Sequence, residues 1–479
     1  MIDTQALRNK ILDLAMRGKL VEQRPEEGTG EELYQKILAE KARLVKEGKI
    51  KKEKPLPEIT EDEKPFEIPE SWKWARLGEI SNYSDPKTKK AADEISPESW
   101  LLDLEDIEKN TGEILTKITG KERKSIGDRV YFQKGEILYS KLRPYLLKIL
   151  VAPDNGFCSP EIVPFIVFDD MDAYFVSYYL KSPSVDSFIN MTTHGIKMPR
   201  VGTDTMIRLL VPIPPINEQK RIVKAIINAF QEIKIIETKQ DDYKRNSEIL
   251  RESLLAKSIE GKLVEQRPEE GTGEELYQQI QKEKEKLIKE GKIKKQKPLP
   301  EITEDEKPFE TPQSWKWVYL GDVFDHNTGK ALNGSDDNGV SLTYITTSNL
   351  YWDHFELDHL KTMPFTDDEI TKCTVHQGDL LVCEGGDIGR SAIWNFDYDM
   401  RIQNHIHRLR PYVNIDVRYF YYVMMYLKNN GSIRGRGIGL QGLSSKALHV
   451  IRVPLPPLAE QKRIVAKLEE LLPLCNQLK

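Results

Sequence analysis

The chain contains the same sequence twice, and this duplication limits its possible folds more than any local motif does. The residues of 18–35 recur letter for letter at 261–278. Across 18–80, 50 of 63 positions match the residues found 243 positions later. A second echo pairs VPIPPINEQKRIV at 211–223 with VPLPPLAEQKRIV at 453–465. The chain is therefore predicted to fold into two similar halves.

The stretches between the echoes, 81–210 and 324–452, have nearly equal lengths and little common sequence. Much of the retained sequence is charged, and charged side chains are rarely buried, so core packing does not explain its identity. We therefore predict that two identical surfaces bind two copies of one partner. The two divergent inserts would then recognise two different targets.

The repeat also closes on itself at the chain ends. With the offsets applied, position 479 falls opposite 237 and position 1 falls opposite 244. The C-terminal and N-terminal segments together thus form a second copy of 217–260, with about six positions missing. This pattern predicts a pseudo-twofold, circular organisation in which the two termini lie close together.

Length and composition indicate a multidomain protein. A chain of 479 residues suggests about three domains. No apolar run approaches the ~20 residues that span a bilayer, and the N-terminus lacks a signal-peptide layout, so we expect a cytoplasmic protein and no membrane partner. The four cysteines show no CxxC spacing, which indicates neither a disulfide framework nor a zinc site.

The charge balance argues against a diffuse electrostatic attraction to nucleic acid. The net charge is −5, and the inserts carry 17 basic against 19 acidic residues in 81–210 and 13 against 15 in 324–452. Nucleic-acid-binding domains usually have a basic surface. Any contact with DNA must therefore come from local patches or be shared with a basic partner.

One long helix is predicted from Asn217 to about Ser258, because this stretch lacks proline and glycine and has apolar residues at heptad spacing. About 42 residues span roughly 60 Å. The two chain ends should supply its antiparallel partner as a split helix. The predicted coiled-coil seam consists of Leu7, Ile11, Ile222, Ile226, Ile233, Ile236, Leu250, Leu254, Ile464 and Leu468.

A shorter helix follows each copy of the long one. Thr29 with Glu32, and Thr272 with Glu275, have the spacing of capping boxes, and glycines 48 and 291 suit left-handed C-caps. The charged, proline-bearing segment KIKKEKPLPEITEDEKPFE and its second copy come next. A disordered spacer is one interpretation, but the near-identity of the two copies favours an extended arm bound to a surface.

The two inserts are predicted to share a fold and to differ in surface residues. Each begins with SWKW and mixes strand-like runs with helices. VYFQKGEILYSKL and TVHQGDLLVCEGG indicate strand, turn and strand, whereas AYFVSYYLKS and VRYFYYVMMYLKN indicate matching aromatic-rich helices. At the repeat offset, HGIKMPRV lies opposite RGIGLQGL.

No set of catalytic or metal-binding residues emerges from the sequence. There is no GxxxxGK[ST] phosphate loop, and EGGDIGR at 384–390 is better interpreted as a strand turn. His405 and His407 alternate as in a strand and lack a second pair of ligands, so sheet positions are favoured over a metal site. The Asn/Asp-Pro-Pro-aromatic sequence of adenine methyltransferases does not occur. The chain is thus expected to be non-catalytic, with neither a metal nor a cofactor of its own.

Local groups suited to DNA occur in both inserts. Arginine can pair bidentately with guanine and Asn or Gln with adenine, whereas lysine more often neutralises phosphate. A solvated surface role is the alternative for each, but clustering in glycine-flanked loops favours binding. The candidates are Lys87, Lys89, Lys90, Ser140, Lys141, Arg143, Tyr145, Lys197 and Arg200 in the first insert, and Arg390, Arg401, Gln403, Asn404, Arg434, Arg436 and Gln441 in the second.

Several of these segments together resemble a known family. IPESWKW at the start of an insert, WLLDLEDIEKNTG at 100–112, GEILYSKLRPYL at 135–146 and IPPINEQKRIV at its end are similar to the DNA specificity subunit of type I restriction–modification systems. The resemblance covers essentially the whole chain. It supplies no base-contacting motif, so the contact residues above rest on residue chemistry alone.

The resemblance implies a function and a set of partners. Each of two target-recognition domains would read one half of an asymmetric, bipartite site in double-stranded DNA. The conserved helices would bind two modification subunits, which carry S-adenosylmethionine and methylate adenine, and restriction subunits would join to cleave DNA. Helix length would act as a ruler that places the half-site centres about two helical turns apart or less.

The expected fold is α+β, with two mixed α/β target-recognition domains separated by a long antiparallel two-helix coiled coil. The alternatives are a stand-alone DNA-binding regulator, which the charge balance disfavours, and a coiled-coil scaffold that carries two peptide-binding domains. The predicted divisions are an N-terminal helical region and arm, the first recognition domain, a central helical region and arm, the second recognition domain and a C-terminal helix, at 1–70, 71–212, 213–313, 314–454 and 455–479.

Overall fold

A computed structural model describes residues 1–52, 54–123, 127–192, 198–295, 297–331, 339–433 and 442–477. The chain forms two compact units, Met1–Lys239 (unit 1) and Gln240–Lys479 (unit 2). Each unit mixes helices and strands, and the described parts of both contain a long and a shorter helix and a two-stranded antiparallel sheet, as the duplication predicts, whereas their other sheets differ. Among the described residues, no helix is both long and apolar enough to span a membrane.

Unit 1 combines helices with three small sheets. Its helices are α1 (Thr4–Met16), α2 (Gly30–Lys46), α3 (Leu77–Ile80), α4 (Ala173–Leu180), α5 (Pro183–Thr192) and α6 (Thr203–Arg208). Its strands are β1 (Lys73–Arg76), β2 (Lys89–Lys90), β3 (Trp100–Leu102), β4 (Ile118–Thr119), β5 (Arg129–Phe132), β6 (Ile137–Ser140), β7 (Ile149–Val151), β8 (Gly156–Cys158), β9 (Ile162–Phe165) and β10 (Leu210–Ile213). The sheet orders are β1-β10, β2-β5-β8-β3-β4 and β7-β6-β9.

The helix α7 (Ile216–Ile259) begins in unit 1 and ends in unit 2. The other helices of unit 2 are α8 (Gly273–Lys289), α9 (Leu320–Val323), α10 (Asp367–Cys373), α11 (Val417–Asn429), α12 (Ser445–His449) and α13 (Leu458–Gln477). Its first strands are β11 (Lys316–Tyr319), β12 (Phe324–Thr328), β13 (Val340–Ile345), β14 (Leu350–Tyr351), β15 (His354–Phe355) and β16 (Lys361–Phe365). The remaining strands are β17 (Thr374–Val375), β18 (Leu380–Cys383), β19 (Ser391–Ile393), β20 (Met400–Ile402), β21 (Ile406–Pro411) and β22 (Arg452–Leu455).

The sheets of unit 2 have the orders β11-β22, β12-β21-β18-β19, β16-β13-β20-β17 and β14-β15. The predicted strand–turn–strand segments are present as β5–β6 and β17–β18, but the two strands of each segment belong to different sheets. In each unit this turn therefore links two sheets and does not close a hairpin. The predicted aromatic-rich helices correspond to α4 and α11.

The predicted long helix is confirmed as α7, but two positions of the predicted seam are wrong. Leu7 and Leu250 are 38% and 45% exposed. The buried residues are Leu12 and Leu255, five positions further along each helix. Of the other seam residues, Ile222, Ile226, Ile233, Ile464 and Leu468 are buried and Ile11, Ile236 and Leu254 are partly buried.

A drift in register explains this error. A straight α-helix turns about 20° per heptad away from a strict 3.5-residue repeat, so counting heptads over many turns shifts the predicted face. In addition, α1 and the first half of α7 pack inside unit 1, whereas α13 and the second half of α7 pack inside unit 2. The buried stripe near the end of α7 includes Ser247, whose hydroxyl donates to the carbonyl of Cys475 at 2.6 Å.

A polar network inside each unit brings the two sequence echoes together. In unit 1 the buried Glu218 carboxylate accepts hydrogen bonds from the Trp72 indole at 3.0 Å and from Gln23 Nε2 at 2.6 Å. Arg221 forms a bidentate ion pair with Glu27. The same contacts in unit 2 are made by Glu460, Trp315, Gln266, Arg463 and Glu270.

This network corrects the expectation that internal packing does not explain the retained sequence. The GKLVEQRPEE segment of each unit binds the EQKR segment of the same unit, and buried charges require partners of matching geometry. The identity of these two segments therefore has an intramolecular cause. A shared partner is then needed to explain only the identity of those retained residues that are exposed.

The shorter helices and the arms also agree with the sequence. Thr29 and Thr272 form complete capping boxes, and Gly48 and Gly291 have φ of 72° and 70°. The first arm packs on its unit, because Phe66 is buried against the core.

An arginine anchors each arm, but the two arginines occupy different strands. In unit 1, Arg76 on β1 pairs with Glu63 at 2.9 Å and donates to the carbonyl of Pro57. In unit 2 the pair is between Arg452 on β22 and Glu306 at 2.5 Å. Since β1 and β11 are equivalent in the repeat, the cation has moved to the neighbouring strand.

Candidate functional site

Three segments of unit 1 meet beyond the end of β6 and bring several candidate residues together. The N–H of Lys141 donates to the carbonyl of Glu161 at 3.0 Å, and the N–H of Val201 donates to the carbonyl of Lys141 at 3.1 Å. The N–H of Arg143 donates to the carbonyl of Pro199 at 2.8 Å. These bonds place the backbones of the 140–147 and 199–201 segments side by side. We call this surface, with the turn 159–161, the unit 1 loop site.

The conformation of Arg143 is strained, and its side chain is exposed. Its φ is +49°, in the left-handed region, where a side chain costs roughly 1–2 kcal/mol. Gly386, 243 positions later, occupies the same region with φ of 73°. A turn of this shape can be formed by glycine without strain, yet unit 1 has an arginine at the position. Because backbone strain is usually retained at functional sites, this difference favours a binding role for Arg143.

The other unit 1 candidates have different environments. Arg200 forms a bidentate ion pair with Glu161, which lowers the pKa of that carboxyl. Tyr145 is exposed on the 3-10 turn Pro144–Leu146, within the loop site. The side chain of Ser140 is buried and donates to the carbonyl of Leu142, so its predicted contact with DNA is wrong for this conformation.

The lysines at the start of the first insert lie outside the loop site, two of them on a strand of another sheet. Lys87 donates to the carbonyl of Asn82 at 2.8 Å, and burial lowers its pKa to about 8. A lysine in this environment is a poor phosphate ligand compared with an exposed one. Lys89 and Lys90 are exposed on β2, which is an edge strand of the five-stranded sheet.

Unit 2 has the same backbone frame beyond the end of β18. The N–H of Glu384 donates to the carbonyl of His405 at 2.9 Å, and the N–H of Leu443 donates to the carbonyl of Glu384 at 2.7 Å. These bonds correspond one for one to those of Lys141. Gln403 and Asn404 lie in the turn before β21, within this unit 2 loop site (383–390, 403–405 and 442–443). Lys197, Arg434, Arg436 and Gln441 lie outside the described residues.

The two remaining arginines of unit 2 make internal contacts. Arg390 donates to the carbonyl of Thr347 at 2.6 Å, and its guanidinium carbon lies 5.0 Å from the centre of the Tyr351 ring. Arg401 donates to the carbonyl of Asp399 at 3.2 Å. Both side chains are partly buried. Their contacts therefore stabilise the fold, in addition to any contact with a ligand.

A histidine pair that the sequence interpretation did not connect supports the unit 2 loop site. His326 Nε2 and His407 Nδ1 are 3.0 Å apart, and His407 Nε2 lies 2.7 Å from the carbonyl oxygen of Leu443. Burial lowers the pKa of His326 to about 3 and also lowers that of His407. Both rings are therefore neutral near pH 7. The alternation of residues 405 and 407 predicted the strand position of His407 but gave no signal for its partner, 81 positions earlier.

Comparison with known proteins places this geometry in a family. The type I restriction modification DNA specificity domain matches residues 69–243 and 312–479. The specificity subunits of the type I restriction enzymes EcoAI and EcoEI of Escherichia coli are each 29% identical, over 99% of this chain and 90% of theirs.

Solved structures share the fold. A chain from a study of complex assembly and conformational transition of the type I R-M system superposes with a TM-score of 0.64. The HsdS subunit from Thermoanaerobacter tengcongensis superposes with a TM-score of 0.52. Each is 21% identical, over 87% of this chain and 93% of the other. With two matched domains that together span most of its length, the chain belongs to the DNA specificity subunits of type I restriction–modification systems.

Proposed function

We propose that each unit reads one half of a bipartite, asymmetric site in double-stranded DNA through its loop site. The observation that carries this proposal is that the two loop sites have matching backbone hydrogen bonds and different side chains. Lys141 and Glu161 of unit 1 correspond to Glu384 and His405 of unit 2. A common frame with different donors and acceptors is what two different base sequences require.

The helices would provide the docking surface for two modification subunits, which hold S-adenosylmethionine and methylate adenine. Apolar side chains on the helices remain exposed in both units. Tyr243 and Leu250 of α7 are one heptad apart and thus lie on one face, while Leu7 of α1 and Ile235 of α7 are exposed in unit 1. Exposed apolar stripes on helices commonly mark sites of helix packing with a partner.

In this assembly the specificity subunit would contribute recognition and no catalytic group. Methyl transfer would take place in the modification subunits, and DNA cleavage would require restriction subunits that join the complex. The acidic balance of the chain fits such sharing, because basic partner surfaces would supply the sequence-independent part of DNA binding.

The length of α7 would set the separation of the half-sites. Its 44 residues correspond to roughly 66 Å of helix. Deleting one heptad from α7 is expected to shorten the spacer or to abolish methylation, whereas an unchanged spacer would contradict the ruler. Exchanging 81–210 for the insert of another specificity subunit should change one half-site only, and a change in both would contradict independent reading.

The first test is co-expression with the modification subunit of the same system in a host without DNA methylation. Genome-wide mapping of N6-methyladenine should then give a split motif with a fixed spacer. A complex that co-purifies and leaves the genome unmethylated would contradict the proposal. Sequence-specific binding by the isolated chain alone would favour a stand-alone regulator.

A further inference from the structure

Large apolar side chains are exposed beside the cations of the unit 1 loop site. Met191, at the end of α5, is 86% exposed, and Phe188 lies three residues earlier on the same helix face. The helix α5 packs against the 3-10 turn that carries the exposed Tyr145. Met198, also exposed, directly precedes the residue whose carbonyl anchors Arg143.

These four side chains, Tyr145, Phe188, Met191 and Met198, are called the apolar patch below. Tyr145 belongs to the loop site, Met198 directly precedes its 199–201 segment, and the other two lie on α5, which packs against the turn of Tyr145. The other apolar residues of α5, Val185 and Ile189, are buried in the core. Leaving large apolar groups in water is unfavourable by about 25 cal/mol per Å². A group of them beside a binding site therefore indicates a ligand with an apolar surface.

The chemistry around the apolar patch is complementary to DNA. Arg143 is exposed and Lys141 is half-buried in the same loop, and Arg200 is exposed on the paired segment. Cations that neutralise phosphates around apolar side chains match the edge of the major groove, where thymine alone presents a methyl group.

The repeat argues against a protein as the occupant. A modification subunit that binds both units alike would require the same patch in each. In unit 2 the residue opposite Tyr145 is Ile388, which is buried with an exposure of 6%, and Leu440, opposite Met198, lies outside the described residues. The exposed ring of Tyr145 therefore has no counterpart at the described position of unit 2.

We propose that the apolar patch reads thymine by contact with its 5-methyl group in the half-site that unit 1 recognises. The proposal rests on the proposed function, and it adds the chemical feature that unit 1 selects. Arg143, whose side chain is exposed, holds the duplex, and the patch covers the methyl group and excludes water from it. Burial of one methyl group gives a preference for thymine over uracil of roughly four-fold.

The test uses the complete complex with its modification subunits and synthetic duplexes that contain the mapped site. Each thymine of the unit 1 half-site is replaced singly by deoxyuridine, which lacks only the methyl group. At one or more positions kcat/KM for methylation should fall roughly four-fold. Equal rates at every position overturn the inference, while the split motif still supports the proposed function. A unit 1 half-site whose only thymine is the one opposite the target adenine also overturns the inference.

Variants then identify the side chains that contact the methyl group. Two double variants are compared, Phe188→Ala/Met191→Ala and Tyr145→Ala/Met198→Ala. In at least one of them the ratio of kcat/KM for thymine over deoxyuridine should fall toward one. Leu115→Ser, which alters an apolar residue 60% exposed elsewhere in unit 1, should retain the preference.

Three further results distinguish methyl reading from insertion between bases, from protein docking and from a failure of DNA recognition as a whole. Slower methylation with an unchanged thymine preference would indicate a wedge between base pairs and overturn methyl reading. Failure of both double variants to bind modification subunits would assign the patch to protein docking and overturn it as well. Absence of sequence-specific methylation by the unmodified complex would instead contradict the proposed function.

Discussion

The two units share a set of internal contacts almost atom for atom and differ where a target would bind. Glu218 and Glu460 each accept from a tryptophan indole, at 3.0 and 2.8 Å. Beyond β6 and β18 the backbone bonds also correspond, yet lysine in one unit stands where the other has glutamate. The frame that positions the loops has been retained, and the side chains on it have been free to change.

The arm anchors show that a contact can be retained without its residue. Arg76 of β1 lies opposite Leu210 of β10, and in unit 2 Tyr319 of β11 lies opposite Arg452 of β22. The arginine has thus exchanged strands across one register pair while its acidic partner in the arm has stayed. This exchange indicates that the position of the arm, more than the identity of one strand residue, has been preserved.

The largest expected effect comes from removing the shared carboxylate. Glu218→Ala leaves the Trp72 indole without an acceptor and Gln23 Nε2 with only the carbonyl of Gly18, which should destabilise unit 1 by about 3 kcal/mol. Glu460→Ala should destabilise unit 2 by a similar amount. Hydrogen exchange resolved by peptide measures each unit separately. A large effect of one substitution with almost none of its counterpart would contradict the equivalence of the two networks.

The second prediction transplants the arm anchor. Arg76→Tyr introduces the unit 2 residue and removes a buried guanidinium that binds the arm, so opening of the 54–67 arm should become easier by about 2 kcal/mol. Adding Leu210→Arg recreates the arrangement of unit 2 and should restore most of the protection of the arm from proteolysis. If Leu210→Arg restores nothing, the two anchors are not equivalent.

The third prediction concerns low pH, to which the buried histidine pair beside the unit 2 loop site should respond. The pKa of His326 falls from 6.5 to about 3 on folding, so between these values the unfolded state binds more protons. Stability is complete above pH 6.5 and is lost as the pH falls, by about 1.2 kcal/mol between pH 7 and 5.5.

Hydrogen exchange of β18 and β21 against β6 and β9 at the two pH values measures this difference. His326→Gln, which cannot titrate, serves as the control and should reduce the acid response of unit 2, while His407 retains its own contribution. A response of equal size in both units, or one of unchanged size in the variant, would show that other groups are responsible. His405, His449, Arg408 and Glu384 are the ionisable groups that act electrostatically on the pair.

Local signals in the sequence were sufficient for the elements and insufficient for their mutual packing. The capping box of Thr29 depends on residues three positions apart, so it could be predicted from the sequence. The burial of Leu255 in place of Leu250 depends on what each half of α7 packs against, which heptad counting does not include. Both echoes were evident, but their contact through Glu218 joins positions almost 200 residues apart.

The candidate site shows the same division. Residue chemistry selected Arg143, Tyr145 and Arg200 as candidates, and the fold brings their segments together. It also selected Ser140, because a strand-end serine is indistinguishable in sequence from an exposed one until the path of the loop is known. The apolar residues of α5 give no signal of a site in the sequence, since an isolated phenylalanine or methionine in a helix is usually part of a core.

The smallest expected effect on stability is at the left-handed position that the two units fill differently. Arg143→Gly should relieve strain and stabilise unit 1 by about 0.5 kcal/mol, because the greater freedom of glycine in the unfolded chain offsets part of the gain. At the corresponding position of unit 2, Gly386→Ala adds a side chain in the left-handed region and should destabilise unit 2 by about 1 kcal/mol. In the assembled complex, Arg143→Gly should also weaken methylation by about ten-fold, since charged contacts with DNA contribute about 1–3 kcal/mol. Gly386→Ala removes no charge, so it should leave this contribution to methylation unchanged. A stabilised Arg143→Gly variant with full methylation would show that the arginine is tolerated at this position and is not used there.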